Sequence, residues 1–321
     1  MENSECIKIN LRKTAIIGCG FVGSTIAFSL MQSGLFSEMV LIDVDADRAE
    51  GEALDISHGT PFARPMKIYA GSYKDISDAA VIIITAGANQ KPDETRLDLV
   101  TKNTKIMRSV VTEIMKHGCE GILLIVSNPV DILTYEALKM SGLPSNRVIG
   151  SGTVLDTGRL KSELGEHLGV DSRSIHAFII GEHGDSEIAA FSSANVSGVP
   201  LHDVCEMRGF YHHEEAMHRI AHTVKNSAYE IIEKKKATYY GIAMAVRRIC
   251  EAIVRDEKSI LPVSVMLDHV YGLHDIVLSM PTIIGATGAE GHMPISLNED
   301  EQEQLKTSAN LLKDIITKIS N

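Results

Sequence analysis

Over the first 150 residues, short runs of unbroken apolar character alternate with longer stretches of helical period. TAIIG (14–18), MVLID (39–43), MKIYA (66–70), AVIIIT (80–85), GILLIVS (121–127) and RVIG (147–150) read as strands. Several lack polar alternation, which suits parallel strands covered on both faces. The clearest helical pattern spans 94–117, with Leu97, Val100, Thr104, Met107, Val111, Ile114 and Met115 on one stripe and Gly118 as C-cap. Asp45 is placed to cap a helix over 46–58. Six strands with intervening helices predict an α/β fold with a doubly wound parallel sheet, whose ligand lies beyond the carboxyl ends of the strands. The second half predicts strands near 174–180 and 187–196 and long helices near 205–235 and 241–257. Strand signals return at 260–284, followed by an amphipathic helix at 299–320. No repeat or linker interrupts the chain, and the pattern changes near residue 150. The reading is therefore a dinucleotide-type domain over 1–150 and an α+β domain over 151–321.

Composition narrows the class of partner. The 321 residues are 44% hydrophobic, enough for a sizeable core, and 31 basic against 42 acidic side chains leave a net charge of −11. That balance argues against nucleic acid or an anionic membrane as the main partner. The stretch MENSECIKINLRK lacks the apolar core of a signal peptide, and no run reaches the ~18 apolar residues of a spanning helix. Cys6, Cys19, Cys119, Cys205 and Cys250 are scattered and odd in number, so they read as thiols in a reducing, cytoplasmic compartment.

The chemistry begins at TAIIGCGFVGSTIAFSL, where Gly18-x-Gly20-x-x-Gly23 lies between a strand and a helix. The first glycine permits the tight turn, the second lets a pyrophosphate approach the backbone, and the third allows close packing of helix on strand. Val22 falls within this turn. Asp43 ends the next strand, placed for its carboxylate to accept hydrogen bonds from a ribose 2′-hydroxyl and to repel a 2′-phosphate. NAD is therefore expected over NADP.

Three further stretches carry polar groups at strand or helix ends. SNPVD sets Ser127 and Asn128 at the end of an apolar strand. GSGTVLDTGRL places Asp156 and Arg159 on one helix face, and AFIIGEHGDSE carries His183 between glycines. Taken singly, Asn128 equally suits an Asx turn, the Asp156–Arg159 pair a surface ion pair, and His183 an ordinary loop. The set YHHEEAMHRIAH places His218 and His222 one turn apart, but without an H-E-x-x-H pattern it reads as a solvated helix face, and no resident metal is expected.

Taken together, GCGFVG, LID, GANQKPDETRLDLV, SNPVDILTY, GSGTVLDTGR, GEHGD and KKATYYGIA resemble the bacterial L-lactate dehydrogenases of the lactate/malate dehydrogenase family, in order and over almost the whole chain. The resemblance implies a six-stranded Rossmann sheet followed by a substrate domain, with NAD as cofactor. It implies that His183 donates and accepts the proton, that Asp156 holds its imidazole, and that Arg159 grips the substrate carboxylate. Arg96 would polarise the reacting carbonyl, Asn128 would contact the substrate and the nicotinamide surroundings, Thr238 would line the substrate pocket, and Ile242 would lie against the nicotinamide. Gly87 and Ala88 would pass close to the cofactor, as would Ser127. For Thr238 and Ile242 the residues by themselves favour ordinary helix packing.

Gln90 is the position that separates substrates. By resemblance, lactate dehydrogenases carry glutamine there and malate dehydrogenases commonly arginine. A neutral amide beside the pyruvate methyl leaves no unpaired buried charge, whereas oxaloacetate brings a second carboxylate that wants a cation. An oxaloacetate-specific relative, or an NAD-binding protein without catalysis, remains the alternative, although the latter needs no acid–base couple. Asp93 stands where many relatives carry glycine, which puts the closing rate of this loop in question. Lys161 and His176 match the fructose bisphosphate site of activated relatives, with lysine where they carry arginine. Surface lysine and strand histidine are the plainer reading. The resemblance further implies a homotetramer.

Overall fold

The computed structural model describes residues 9–88 and 95–320, with the backbone alone for Arg96 and Ser320. They form two compact units. The first comprises the chain through Ser151 together with Tyr239–Ser259 and Ile284–Glu290; the second comprises Gly152–Thr238, Ile260–Ile283 and Gly291 onward.

Unit 1 is built on the predicted alternation. Its strands are β1 (Asn10–Ile17), β2 (Glu38–Ile42), β3 (Lys67–Ala70), β4 (Ala79–Ile84), β5 (Ile122–Ile125) and β6 (Val148–Gly150). They pair in parallel in the order β3-β2-β1-β4-β5-β6. This is the doubly wound order, whose direction of winding reverses between β1 and β4. Every residue of β4 is buried, as an apolar run without alternation requires of a strand covered on both faces. Between the strands lie α1 (Phe21–Ser33), α2 (Ala46–His58), α3 (Arg96–Lys116) and α4 (Val130–Ser141). Asp45 caps α2 by accepting the Arg48 N–H at 3.2 Å. Thr95 and Asp98 form a reciprocal capping box that starts α3 at Arg96, while its C-cap is His117, one residue before the expected Gly118. Met107, Val111 and Ile114 of α3 join Ala15, Ile82, Ile84, Leu123 and Ile125 in one core. Each valine, leucine, isoleucine or methionine side chain among them, fully buried, stabilises by about 1.5–3 kcal/mol.

Unit 2 opens with α5 (Val154–Leu168), followed by the short strands β7 (Ile175–His176), β8 (Ile179–Gly181), β9 (Glu187–Ala189), β10 (Asn195–Val196) and β11 (Val199–Pro200). The single helix expected over 205–235 is two, α6 (Leu201–Met207) and α7 (His213–Lys235), separated by a turn in which Gly209 takes φ +82°. A left-handed residue ends a helix regardless of the flanking apolar period. Next come α8 (Tyr240–Val254), β12 (Ser259–Val270), β13 (Leu273–Gly285), β14 (Gly288–His292) and α9 (Glu299–Ser320). β12, β13, β8 and β9 are neighbours in that order, and β7, β10 and β11 form a small antiparallel sheet. Leu160, Leu164, Ile175, Ile179, Ile220 and Val224 anchor the core of this unit. α8 packs with α1 inside unit 1, so the chain returns to its first unit after Thr238.

Candidate active site

The glycine turn follows β1 at the sheet's switch point. Gly18 has φ +103°, and a Cβ there would meet Ala86 N at 2.6 Å. A Cβ on Gly23 would meet Gly18 O at 1.9 Å, so the packing of α1 on its own turn excludes any side chain. Gly20 differs: a Cβ there would meet nothing within 4 Å. No atom of the described protein requires glycine at that position, and the missing side chain leaves the backbone open to close approach by a ligand. Gly20 is also the N-cap of α1, with no side-chain cap and no acid in the first turn. The free N–H groups and the dipole therefore face the turn, an arrangement that attracts phosphate.

Asp43 sits at the end of β2. Its Oδ2 accepts the Cys19 N–H at 2.6 Å and its Oδ1 the Asp45 N–H at 3.0 Å, which fixes the carboxylate beside the turn. Gly18, Gly20, Asp43, Ala86 and Gly87 line one cleft of about 500 Å³, and Val22 stands half-buried in the first turn of α1. Cys19 is no nucleophile here: burial first, then the Asp43 carboxylate, push its thiol up to about 12. The glycine turn, the uncapped helix start and the oriented carboxylate fit a dinucleotide with an unphosphorylated ribose.

Ser127 is buried, and its hydroxyl donates to Ala86 O at 2.6 Å, tying the end of β5 to that of β4. Asn128 follows it at the surface. Sequence reading passed over Asn103, a buried amide on the apolar face of α3. Its Oδ1 accepts the Ala88 N–H at 2.8 Å, and its Nδ2 donates to Ala88 O at 3.2 Å and Asn128 O at 2.8 Å. One side chain thereby satisfies three backbone groups and fixes Ala88 relative to Asn128. A polar residue in line with Val100 and Met107 was the available signal. Gln90 and Asp93 lie outside the described residues; Arg96 begins α3, and its side chain lies outside them.

Unit 2 brings Asp156, Arg159 and His183 together. Asp156 Oδ2 meets His183 Nδ1 at 2.6 Å, and its Oδ1 accepts from Arg159 Nη1 at 2.6 Å. The Asp156 side chain is 3% exposed and that of Arg159 14%, so this is no surface ion pair. Burial alone would raise the Asp156 carboxyl, but the charges and hydrogen bonds of His183 and Arg159 outweigh it and hold the acid below its usual range. Local structure secures the couple. Thr153 Oγ1 donates to Ile179 O at 2.5 Å and Thr157 Oγ1 accepts the Ile179 N–H at 2.8 Å, pinning α5 to the strand that leads to His183. Glu182 accepts from the Ser186 hydroxyl at 2.5 Å and bridges the loop around His183. Arg159 and Asp156 therefore offer a cation beside an acid–base imidazole, a set suited to binding a carboxylate and moving a proton next to it.

Thr238 lies half-buried in the non-helical link that closes unit 2, rather than on a helix face. Ile242 is half-buried in the first turn of α8, within unit 1. Lys161 is half-buried on α5, and burial lowers its ammonium, whereas His176 is exposed on β7, against which α5 packs. His218 and His222 are both exposed on α7. No helix is long and apolar enough to cross a membrane among the described residues.

Known proteins carry the same plan. The NAD binding domain of the lactate/malate dehydrogenases matches residues 12–150, and the alpha/beta C-terminal domain of that family matches residues 153–321. The chain is 52% identical over 316 residues to an L-lactate dehydrogenase of Acetivibrio thermocellus, covering 98% of each. It is 50% identical to L-lactate dehydrogenase 1 of Clostridium acetobutylicum, over 96% of this chain and 98% of that one. Among solved structures, a lactate dehydrogenase from a Medee basin deep-sea metagenome library superposes with a TM-score of 0.93 at 46% identity, covering 97% of this chain and 99% of its own. The ligand-bound minor L-lactate dehydrogenase of Enterococcus mundtii gives a TM-score of 0.92 at 44% identity, over 96% and 98%. Both family domains match in order over almost the whole chain, so the chain belongs to the lactate/malate dehydrogenase family and is an NAD-dependent dehydrogenase.

Proposed function

We propose that the protein is an L-lactate dehydrogenase that interconverts pyruvate and L-lactate, with residues 1–150 holding NAD and residues 151–321 the substrate. The observation that carries the reading is the buried couple in which Asp156 holds both His183 and Arg159 at 2.6 Å. NAD, when bound, supplies and receives the hydride. Asp156 engages Nδ1, and Nε2 of His183 is the nitrogen that protonates the carbonyl oxygen of pyruvate or takes the hydroxyl proton of lactate. An ionised Asp156 favours the imidazolium that pyruvate reduction requires. The N–H groups of Arg159 not engaged by Asp156 form a planar clamp for the substrate carboxylate, which lysine would not reproduce. Arg96 adds positive charge at the reacting carbonyl, where an alkoxide develops. Asn128 and Thr238 complete the substrate contacts, and Ser127, Gly87, Ala88 and Ile242 those of the cofactor.

The test is NADH oxidation with pyruvate and with oxaloacetate in parallel; preference for oxaloacetate would move the reading to a malate dehydrogenase. Gln90 is the proposed selector. Gln90→Arg is expected to shift the ratio of kcat/KM values toward oxaloacetate by at least tenfold, since it meets the second carboxylate with a cation. An unchanged ratio would remove Gln90 from that role.

The same reading includes a cytoplasmic homotetramer working in fermentation, and activation by fructose bisphosphate through Lys161 and His176. Lysine meets a phosphate as a point charge where related enzymes offer a guanidinium fork. Pyruvate saturation curves with and without the bisphosphate decide this: a lowered KM supports the site, and superimposable curves discard it.

A further inference from the structure

One half-buried acid beside the couple has no part in the mechanism above. Glu187 opens β9, paired with Gly181 of β8, so the loop between the two strands carries His183. Its own N–H donates to Gly184 O at 3.2 Å. A carboxylate oxygen of Glu187, a ring nitrogen of His183 and a carboxylate oxygen of Asp156 all lie within 4.8 Å of one another. Oε1 of Glu187 is buried and accepts no hydrogen bond among the described residues. A buried carboxylate oxygen without a donor is costly when charged and tolerable when protonated.

We infer that Glu187 is a positioning residue for the proposed acid–base couple: a second acid whose ionisation sets how firmly His183 holds its proton. The inference rests on the proposed role of His183. The charges around Glu187 support it. Burial, then the Asp156 carboxylate, push Glu187 up to about 8, against His183, Arg159 and Lys225. Lys225 reaches from α7 to the carbonyl of Asp185, and His218 of the same helix lines one cavity with Glu187. Of the acids nearby, Glu301 of α9 accepts the Ser192 and Asn298 N–H groups and Glu182 accepts from Ser186, while His202, His213, Glu214 and Asp300 line the same cavity as Glu187. At neutral pH Glu187 is therefore a neutral acid, and His183 faces the single charge of Asp156. Above pH 8 it faces two. The second charge favours the imidazolium, which extends pyruvate reduction into alkaline solution and opposes lactate oxidation, where His183 must begin neutral.

Glutamine mimics the neutral acid at every pH. The pH profile of kcat/KM for pyruvate in Glu187→Gln is expected to match the wild type below about pH 7. Its alkaline limb should fall earlier, leaving it about three- to tenfold lower at pH 9, as a shift of half to one unit in a coupled histidine gives. Superimposed profiles would overturn the inference, as would an equal loss at all pH values, which marks a purely structural role. Infrared titration of the wild-type protein between pH 6 and 10 needs no variant. A protonated carboxyl band that disappears near pH 8 is expected, and absence of that band at neutral pH also refutes the idea. Should the wild type fail to reduce pyruvate, the proposed function falls while the infrared titration still decides the state of Glu187.

Discussion

His183→Ala is expected to lower pyruvate turnover by about 10³-fold or more while leaving NADH affinity within twofold of wild type. General acid–base catalysis contributes about 10²–10⁴ where the proton is transferred in the transition state. The two effects separate because the glycine turn, Asp43 and the cleft around them lie wholly in unit 1, whereas His183 lies in unit 2. The chain contains no tryptophan, so binding is measured from the fluorescence of NADH itself, beside steady-state oxidation. Turnover at the wild-type rate would remove His183 from the mechanism. Loss of NADH binding together with activity would mean that the variant disturbs the fold, and the loop bridge between Glu182 and Ser186 can be checked by thermal unfolding.

Asp156→Asn tests the other half of the couple and carries a second signature in pH. Activity is expected to fall by about 10²–10⁴, because an amide neither stabilises the imidazolium nor fixes its Nδ1–H tautomer. The stability effect has a definite sign. Although burial opposes it, His183 and Arg159 hold the Asp156 carboxyl below its usual range in the folded protein. The unfolded chain therefore binds the proton more readily than the native one does. The stability contributed by this group is fully present above the unfolded carboxylate value of about 3.9 and is lost as pH falls through the depressed native value. Urea unfolding midpoints of wild type and Asp156→Asn should differ most at neutral pH and converge in strong acid. A difference that grows on acidification would contradict the assigned charge state.

How much of this was legible beforehand depends on the range of the interactions involved. The parallel strands, the Asp45 cap, the glycine turn and the position of Asp43 follow from apolar runs and from sterics between near neighbours. A residue sequence carries such information directly. The pairing of Asp156 with Arg159 was similarly visible from their three-residue spacing on a helix. Its burial was not, since exposure depends on what the rest of the chain lays over α5. The break between α6 and α7 was missed because apolar period continues through it while a left-handed Gly209 ends the helix.

By itself, then, the sequence determined a doubly wound nucleotide fold and its preference for an unphosphorylated ribose, and it offered a short set of candidate polar residues. Tertiary structure alone decided which of those groups touch. It brought Asp156 to His183 across 27 positions and set Asn103 between Ala88 and Asn128. It also left Glu187 beside the couple without, among the described residues, a hydrogen-bond donor to its buried oxygen, and returned α8 to unit 1 after the chain had left it. Periodicity and turn chemistry act over a few residues, whereas burial and charge coupling are properties of the packed whole.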